Sequence, residues 1–160
     1  MISTGRSRAL HVGLFVLGIF ALGVGVARAQ ALDPAEKARL DKLDKGAKTI
    51  DVSHYPAEMQ AGYALMTKKC AKCHVPARPI NAHYVLPGEW ERYIKRMVYK
   101  PDSKMTDDDG KKIYRFLVYD ASVRKADSMR VHLGNLPAAD RVAAIGRVKA
   151  LNPAFDPAGH

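Results

Sequence analysis

Apolar residues in the middle of the chain recur with the spacing of an α-helix. Met59, Tyr63 and Met66 fall at positions i, i+4 and i+7, and Cys70 continues the same face. This spacing places the four side chains on one side of a helix. Pro56 suits the first turn of such a helix, where its missing N–H group is not needed. The pattern predicts a helix from about Pro56 to Cys70.

A second apolar stripe follows in residues 89–99. Trp90, Ile94 and Met97 repeat the same spacing, so one face of this second helix is broadly apolar. The helix is expected to end before Pro101, because the residue that precedes a proline disfavours the helical conformation.

Residues 106–109 read Thr-Asp-Asp-Asp, which is typical of a helix start. The threonine can cap free backbone amides, and the three acids lie where the helix dipole is positive. Ile113, Phe116 and Leu117 then supply an apolar stripe. These residues predict a third helix that ends near Asp120.

The segments that precede these helices or connect them carry weaker patterns. Asp33 has the position of an N-cap for a short peripheral helix that Gly46 would stop. Residues 50–52 suggest a brief extended stretch. Residues 75–88 contain three prolines and a glycine, which predicts a loop.

Beyond the third helix, residues 121–136 suggest a polar connection. Residues 137–151 are predicted to form a further helix, and residues 152–160 a frayed tail. That helix carries Val142, Ile145 and Val148. The chain as a whole is therefore expected to be all-α.

The N-terminus has the pattern of an export signal. Two arginines precede an apolar run in residues 9–26, and an Ala-x-Ala cleavage site ends at Ala29 or, by the same rule, at Ala31. Residues 1–29 are therefore predicted to be a signal peptide. An uncleaved membrane anchor is the alternative, although the apolar run is short and interrupted by glycines.

The two cysteines of the chain stand in Cys70-Ala-Lys-Cys73-His74. Cys-x-x-Cys-His is the motif that attaches a c-type haem. The two thiols add across the two vinyl groups of the porphyrin. Because two residues separate the cysteines, both thiols can reach these vinyl groups from one helical turn. His74 then supplies a neutral imidazole nitrogen to the iron as the proximal ligand. The motif predicts one covalently bound haem c as the cofactor.

Competing interpretations of the motif have less support. A thioredoxin-like pair needs a β-α-β context, and no strand-like run precedes Cys70. A four-ligand zinc site needs a second pair of ligands, which His83 alone does not provide. A disulfide between the two cysteines, or a chance occurrence of the five residues, would also produce this spacing.

Residues 62–117 resemble a monohaem cytochrome c domain. Gly62 stands eight residues before Cys70, where such domains often carry a glycine that lets two helices cross closely. Residues 113–117 resemble the closing helix that crosses the first one there. The resemblance implies a small helical domain wrapped around one covalent haem, which bacteria attach outside the cytoplasm.

More narrowly, Glu89-Trp90, Arg96-Met97 and residues 106–109 are similar to a widespread group of bacterial periplasmic haem domains. Related domains occur in quinohaemoprotein amine dehydrogenases. In that group a tryptophan helix carries a sulfur or imidazole ligand two turns further on. The resemblance implies that Met97 is the distal ligand of the iron and that Trp90 packs against the porphyrin.

Met105 is the alternative distal ligand, because it lies in a loop before a helix N-cap, where the usual small cytochromes c present theirs. Either thioether would raise the haem potential relative to a second imidazole. Each methionine also has a purely structural interpretation: Met97 fills a gap in the core, and Met105 packs under the last helix. A histidine such as His83, or an open iron position, completes the possibilities.

The charge balance bears on partners. The formal charge of +10 becomes +7 when the export segment, with three arginines and no acid, is removed. A basic exported protein can dock acidic redox proteins, whereas nucleic acid is not expected in the periplasm, and membrane contact is expected only for an uncleaved anchor. Ordinary solvated side chains and a docking role both explain the basic residues around the motif. These are Lys68, Lys69, Lys72, Lys95, Arg96, Lys100 and Lys104.

The sequence predicts four segments: a signal peptide (1–29), an N-terminal extension (30–55), a cytochrome c domain (56–121) and a C-terminal helical extension (122–160). The expected role is single-electron transfer in the periplasm rather than catalysis, since no general base or nucleophile is evident. The alternative is a haem-bearing subunit of a periplasmic dehydrogenase or reductase, or a haem enzyme with an open iron site.

Overall fold

The structure is a computed structural model that describes residues 33–72 and 74–159. The described residues form helices joined by turns, with no β-strand among them, so the predicted all-α class is confirmed. The predicted signal peptide (1–29) and Cys73 lie outside the described residues. The helices in chain order are α1 (Pro34–Asp44), α2 (Ala57–Cys70), α3 (Ala77–Asn81), α4 (Pro87–Val98), α5 (Asp107–Arg124), α6 (Ala126–Gly134) and α7 (Ala138–Lys149).

The centre of the fold is the crossing of α2 and α5. Gly62 in α2 faces Phe116 in α5. A Cβ atom on residue 62 would lie 2.7 Å from Phe116 Cβ and 3.2 Å from the carbonyl oxygen of Lys112. Only glycine fits there without a shift, so the predicted close crossing at Gly62 is confirmed.

Gly62→Ala is expected to lower the free energy of unfolding by about 2 kcal/mol, because the added methyl group overpacks the crossing. Gly146, inside α7, provides the control, since an added Cβ there meets no atom within 4 Å. Gly146→Ala is expected to raise the same free energy by about 0.5–1 kcal/mol, because alanine favours helix. Denaturant unfolding measures both effects. A neutral Gly62→Ala variant would contradict the tight crossing.

α4 packs against α5 through the apolar face that the sequence predicts. Trp90, Tyr93 and Ile94 are buried. Gly110 in α5 allows a second close approach, because a Cβ on residue 110 would lie 2.7 Å from Val98 Cγ2. The two glycines of α2 and α5 thus let three helices pack closely around one core.

α5 begins as predicted and ends later. Thr106 Oγ1 accepts a hydrogen bond from the Asp109 N–H at 3.1 Å, and the Asp109 carboxylate accepts one from the Thr106 N–H at 2.9 Å. The predicted cap is therefore confirmed. The helix continues beyond the expected end at Asp120 to Arg124, with Ala121 buried. It is continuous across the point where the sequence suggests that the C-terminal extension begins.

Two short helices occupy segments that the sequence predicts to be irregular. α3 lies within residues 75–88 and α6 within residues 121–136, so both of those predictions are wrong. α3 buries Ile80, and α6 buries Met129 and Leu133. One or two apolar residues are too few to show a helical period, so these helices depend on their packing.

The C-terminal region also differs from expectation. The predicted helix is present as α7, which buries Val148 but leaves Val142 72% exposed. The two valines are six residues apart, and therefore about 120° apart around the helix. The tail is packed rather than frayed: Phe155 is buried, and Arg130 Nε donates to the Asp156 carbonyl oxygen at 2.8 Å.

α1 is peripheral, as predicted, and none of its residues is buried. The Asp33 side chain caps it by accepting a hydrogen bond from the Ala35 N–H at 2.7 Å. An ion pair between Asp44 and Arg78 joins α1 to α3. Across residues 33–72 and 74–159, no helix has the length and apolar character needed to span a bilayer.

Candidate functional site

A cleft at the C-terminal end of α2 brings together four side chains that the sequence singles out. Cys70, His74, Met97 and Met105 all line it. The remaining lining residues are Lys69, Lys100 and Ser103. The cavity volume is about 20 Å³, which is room for about one water molecule. A porphyrin would therefore have to displace the side chains that close the cleft.

α2 places Cys70 and His74 on the same side of the chain. Cys70 is buried and is the last residue of the helix. The Ala71 N–H still donates to the Thr67 carbonyl oxygen, and the His74 N–H donates to the Cys70 carbonyl oxygen at 3.2 Å. These i to i+4 bonds continue the helical turn, so the cysteine and the histidine stand one turn apart.

The hydrogen bonding of His74 leaves one ring nitrogen available as a ligand. His74 Nδ1 lies 3.1 Å from the Val75 carbonyl oxygen. With its proton on Nδ1, the ring donates to Val75 and leaves the Nε2 lone pair for a metal. Burial lowers the pKa of His74 below its ordinary value, despite the opposing effect of the Val75 bond. The ring is thus neutral at neutral pH, as a metal ligand must be.

Met97 and Met105 reach the cleft from different elements. Met97 lies in the last turn of α4, and Met105 lies in the loop before α5. Ser103 orders that loop: its Oγ donates to the Val98 carbonyl oxygen at 2.9 Å and accepts from the Met105 N–H at 3.3 Å. Both methionines are partly buried. Because both methionines line the same cleft, the preference for Met97 as the ligand of the iron stays a prediction.

Trp90 lies deeper in the core than the cleft. Trp90 is only 1% exposed. Its ring packs edge to face against the rings of Tyr84 and Tyr93, with ring centroids 5.5 and 5.7 Å apart. Two buried polar atoms here, Trp90 Nε1 and Tyr93 Oη, have no hydrogen-bond partner among the described residues. Contact between Trp90 and a porphyrin stays a prediction. The sequence gives no signal for the burial of the Tyr93 hydroxyl beyond the place of this residue on the apolar face of the helix.

Lys69 closes one side of the cleft with Asp109. Its Nζ lies 2.7 Å from Asp109 Oδ2 and donates to the Lys104 carbonyl oxygen at 3.2 Å. Hydrogen bonds from Lys69 and Thr106 lower the pKa of Asp109 to about 2. Lys69 is therefore engaged inside the molecule. The remaining basic residues around the motif are exposed: Lys68, Lys72, Lys95, Arg96, Lys100 and Lys104.

Asp109→Asn is expected to lower the free energy of unfolding by about 1 kcal/mol at pH 6, allowing for screening by solvent. The folded pKa of Asp109, about 2, lies below its ordinary value. The stabilisation is therefore fully present above about pH 4 and is lost as the pH falls through 2. Urea unfolding at pH 6 and at pH 3 measures the change.

Asp108→Asn is the control for this pH effect, because Asp108 is also in the first turn of α5 but forms only an exposed i, i+4 pair with Lys112. It should change stability little at either pH. An equal loss in both variants at pH 6 would show that the helix dipole, which acts on both carboxylates, rather than Lys69, stabilises Asp109.

Other surfaces of the described residues lack comparable chemistry. A larger groove of about 360 Å³ adjoins α4 and α5, but none of the motif residues lines it. His83 is exposed and does not line the cleft. In the part of the chain that the structure describes, no three His, Cys, Asp or Glu residues converge to hold a metal ion.

The chain has no match among known protein families, curated proteins or solved structures. The chemistry of the cleft follows from its own donor set. One thiol, one imidazole and two thioethers meet there, which are the groups that attach a c-type haem and ligate its iron. The two unpartnered donors on α4 also fit a ligand that carries acceptor groups. The donor types thus match those of a haem site, whereas the space of about 20 Å³ admits a porphyrin only if the side chains that close the cleft move.

Proposed function

We propose that the protein is an exported monohaem c-type cytochrome that transfers single electrons between redox partners in the periplasm. The observation that supports this most is the cleft in which Cys70, His74, Met97 and Met105 meet. These residues are separated by up to 35 positions in the sequence, and the fold of α2, α4 and α5 brings them together. The wrapping of the helices around a haem is part of the proposal.

Each residue of the cleft has a distinct task. Cys70 and Cys73 would hold the porphyrin through thioether bonds, and His74 would bind the iron through Nε2. The Val75 carbonyl oxygen, as acceptor from Nδ1, fixes the ring orientation and tautomer. Met97 would supply the second protein ligand to the iron. A bound haem would supply a one-electron couple, and two protein ligands would leave no position for substrate.

Exposed lysines around the cleft favour an acidic redox partner. Lys72, Lys100 and Lys104 are exposed near its lining residues, whereas Lys69 is held by Asp109. Contacts through exposed charges are weak and screened by salt. Electron exchange with an acidic partner should therefore slow as ionic strength rises.

Haem attachment is tested by producing the full chain in bacteria that export and mature c-type cytochromes. We expect a haem that survives denaturing electrophoresis in the wild-type protein, weaker retention in Cys70→Ala and Cys73→Ala, and none in the double variant. Met129→Leu, a buried change in α6 away from the cleft, serves as the control and should retain haem fully. A colourless wild-type protein would refute the proposal.

Spectra of the same protein separate electron transfer from catalysis at iron. Low-spin spectra in both redox states, and no rapid binding of carbon monoxide to the reduced protein at neutral pH, are expected of an iron with two protein ligands. Rapid, stoichiometric carbon monoxide binding would instead support the alternative, a haem enzyme with an open iron site.

A further inference from the structure

The cleft at the end of α2 has room for a single ion. Its volume is about 20 Å³, and a cavity of that size holds about one water molecule. A single metal ion is no larger than a water molecule, so it fits without displacing the side chains that line the cleft. A porphyrin fits only after such a displacement. The closed cleft therefore matches a metal ion better than it matches a haem.

Most of the donor groups that line this cleft are soft. Cys70 carries a thiol, His74 an imidazole, and Met97 and Met105 carry one thioether each. Thiolate and thioether ligands together suit Cu(I), and imidazole also binds copper. Zn²⁺ is bound by cysteine, histidine and carboxylate side chains, so the two methionines would add nothing to a zinc site. The donor set therefore favours Cu(I).

The charges around the cleft favour a monovalent ion. Lys69 and Lys100 line it, and among the described residues no carboxylate does. Asp109 pairs with Lys69, whereas Lys100 adds its own positive charge. Cu(I) bound to the Cys70 thiolate adds no net charge, because the thiol releases its proton to solvent. A divalent ion would add one positive charge beside Lys100, and like charges at short range repel.

The local structure holds three of the four donor residues in place. Cys70 is the buried last residue of α2. His74 Nδ1 lies 3.1 Å from the Val75 carbonyl oxygen, which leaves Nε2 as the nitrogen for a metal. The Met105 N–H donates to Ser103 Oγ at 3.3 Å. Ligands that are oriented in advance by their neighbours bind a metal more tightly.

We propose that the haem-free protein binds one Cu(I) ion in this cleft through Cys70, His74, Met97 and Met105. This inference does not rest on the proposed function, because it needs no porphyrin. Copper and haem are exclusive occupants, since both require the sulfur of Cys70. Haem-loaded protein should therefore bind no Cu(I), and Cu(I)-loaded protein should not attach haem until the ion leaves.

Selenomethionine labelling tests the site directly, because it places a strong X-ray scatterer in each thioether. The full chain is synthesised in a cell-free system without haem and receives one equivalent of Cu(I) in the absence of oxygen. The X-ray absorption spectrum at the copper edge is expected to show scattering from two selenium atoms bound to copper. A spectrum without copper–selenium scattering would overturn the proposal, and this result requires no variant to fold.

Met97→Leu and Met105→Leu measure the contribution of each thioether. Each change keeps the side-chain volume nearly constant. Each should raise the Kd for Cu(I), measured by competition with bicinchoninate, at least about tenfold. Met66→Leu is the matched control, because Met66 is buried in α2 and does not line the cleft, and its Kd should equal that of the wild-type protein. The Kd for Zn²⁺ should be the same in all three variants, because zinc does not use thioethers.

The outcomes separate this site from its rivals and from the proposed function. An unchanged Kd for Cu(I) in both cleft variants, with loss of binding in Cys73→Ala, would assign the ion to the two cysteines and overturn the four-residue site. Covalent haem in the exported protein, without Cu(I) binding by the haem-free chain, would refute only the copper site. Copper–selenium scattering in a chain that never acquires haem would support the copper site and refute the proposed function.

Discussion

Met97→Ala is expected to remove the sulfur ligand from the haem iron, whereas Met105→Ala leaves it bound. The weak absorption band of a sulfur-to-iron bond in the red region of the ferric spectrum disappears in the first variant and persists in the second. The reduction potential falls in Met97→Ala, because water replaces the thioether. Carbon monoxide then binds the reduced iron rapidly.

The physical reason for preferring Met97 is the rigidity of its support. α4 is anchored by buried Trp90 and Tyr93 two turns and one turn before Met97, and sites on helices hold geometry better than sites on loops. Met105 follows two non-glycine residues with positive φ, Asp102 at 63° and Lys104 at 51°, a backbone that costs energy to maintain.

Met66→Leu is the matched control for the ligand experiment, because Met66 is buried in α2 and does not line the cleft. It should keep the sulfur band. A band that survives in Met97→Ala would eliminate Met97 as the ligand, and loss of the band in Met105→Ala alone would assign that role to Met105.

Asp120→Ala should lower the free energy of unfolding by about 3 kcal/mol. Asp120 is only 3% exposed. It accepts hydrogen bonds from Tyr55 Oη at 3.0 Å and from Arg124 Nε at 2.6 Å. Its removal leaves a buried hydroxyl and a partly buried guanidinium without their acceptor, which is the costly way to break an ion pair. Denaturant unfolding monitored by circular dichroism measures the loss.

Asp127→Ala is the comparison for Asp120, since Asp127 pairs with Arg130 three residues later but is fully exposed. Its replacement should leave the free energy of unfolding nearly unchanged, because solvent screens such a pair. Equal losses in the two variants would mean that burial of Asp120 contributes nothing. Tyr55→Phe should cost about 1 kcal/mol, as one hydrogen bond is lost while the ring remains packed.

The helices that surround the cleft could be predicted because their apolar residues recur over two or more turns. Met59, Met66 and Cys70 in α2, and Trp90 and Ile94 in α4, face the core as their spacing implies. α6 could not be predicted in this way, because its burial depends on two residues and on contacts with α5 and α7. A lone aromatic residue among prolines, such as Phe155, has no period at all.

The residues of the cleft differ in the same way: some can be recognised from their spacing in the sequence, and others only from the packing of helices that are distant in the sequence. The motif names Cys70, Cys73 and His74 because their spacing is local. The methionines could be named as candidates, yet their convergence with His74 needs the packing of α4 against α5. The partial burial of Lys125 could not be predicted, because a partly buried lysine and a solvated one look alike in a sequence. It is shown only by the hydrogen bond of Lys125 to the Ala82 carbonyl oxygen and by its position over the Trp90 ring.

The length of α5 has a consequence for how the chain unfolds. Its N-terminal turn is held by the Lys69–Asp109 pair beside the cleft, and its C-terminal end bonds to the carbonyl oxygens of Ile80 and Ala82. α6 and α7 pack on this helix as well. A fragment that stops at residue 121 would lose the last turn and expose the apolar face beneath α6. Residues 33–159 should therefore melt in a single cooperative transition, and limited proteolysis should release no smaller stable domain.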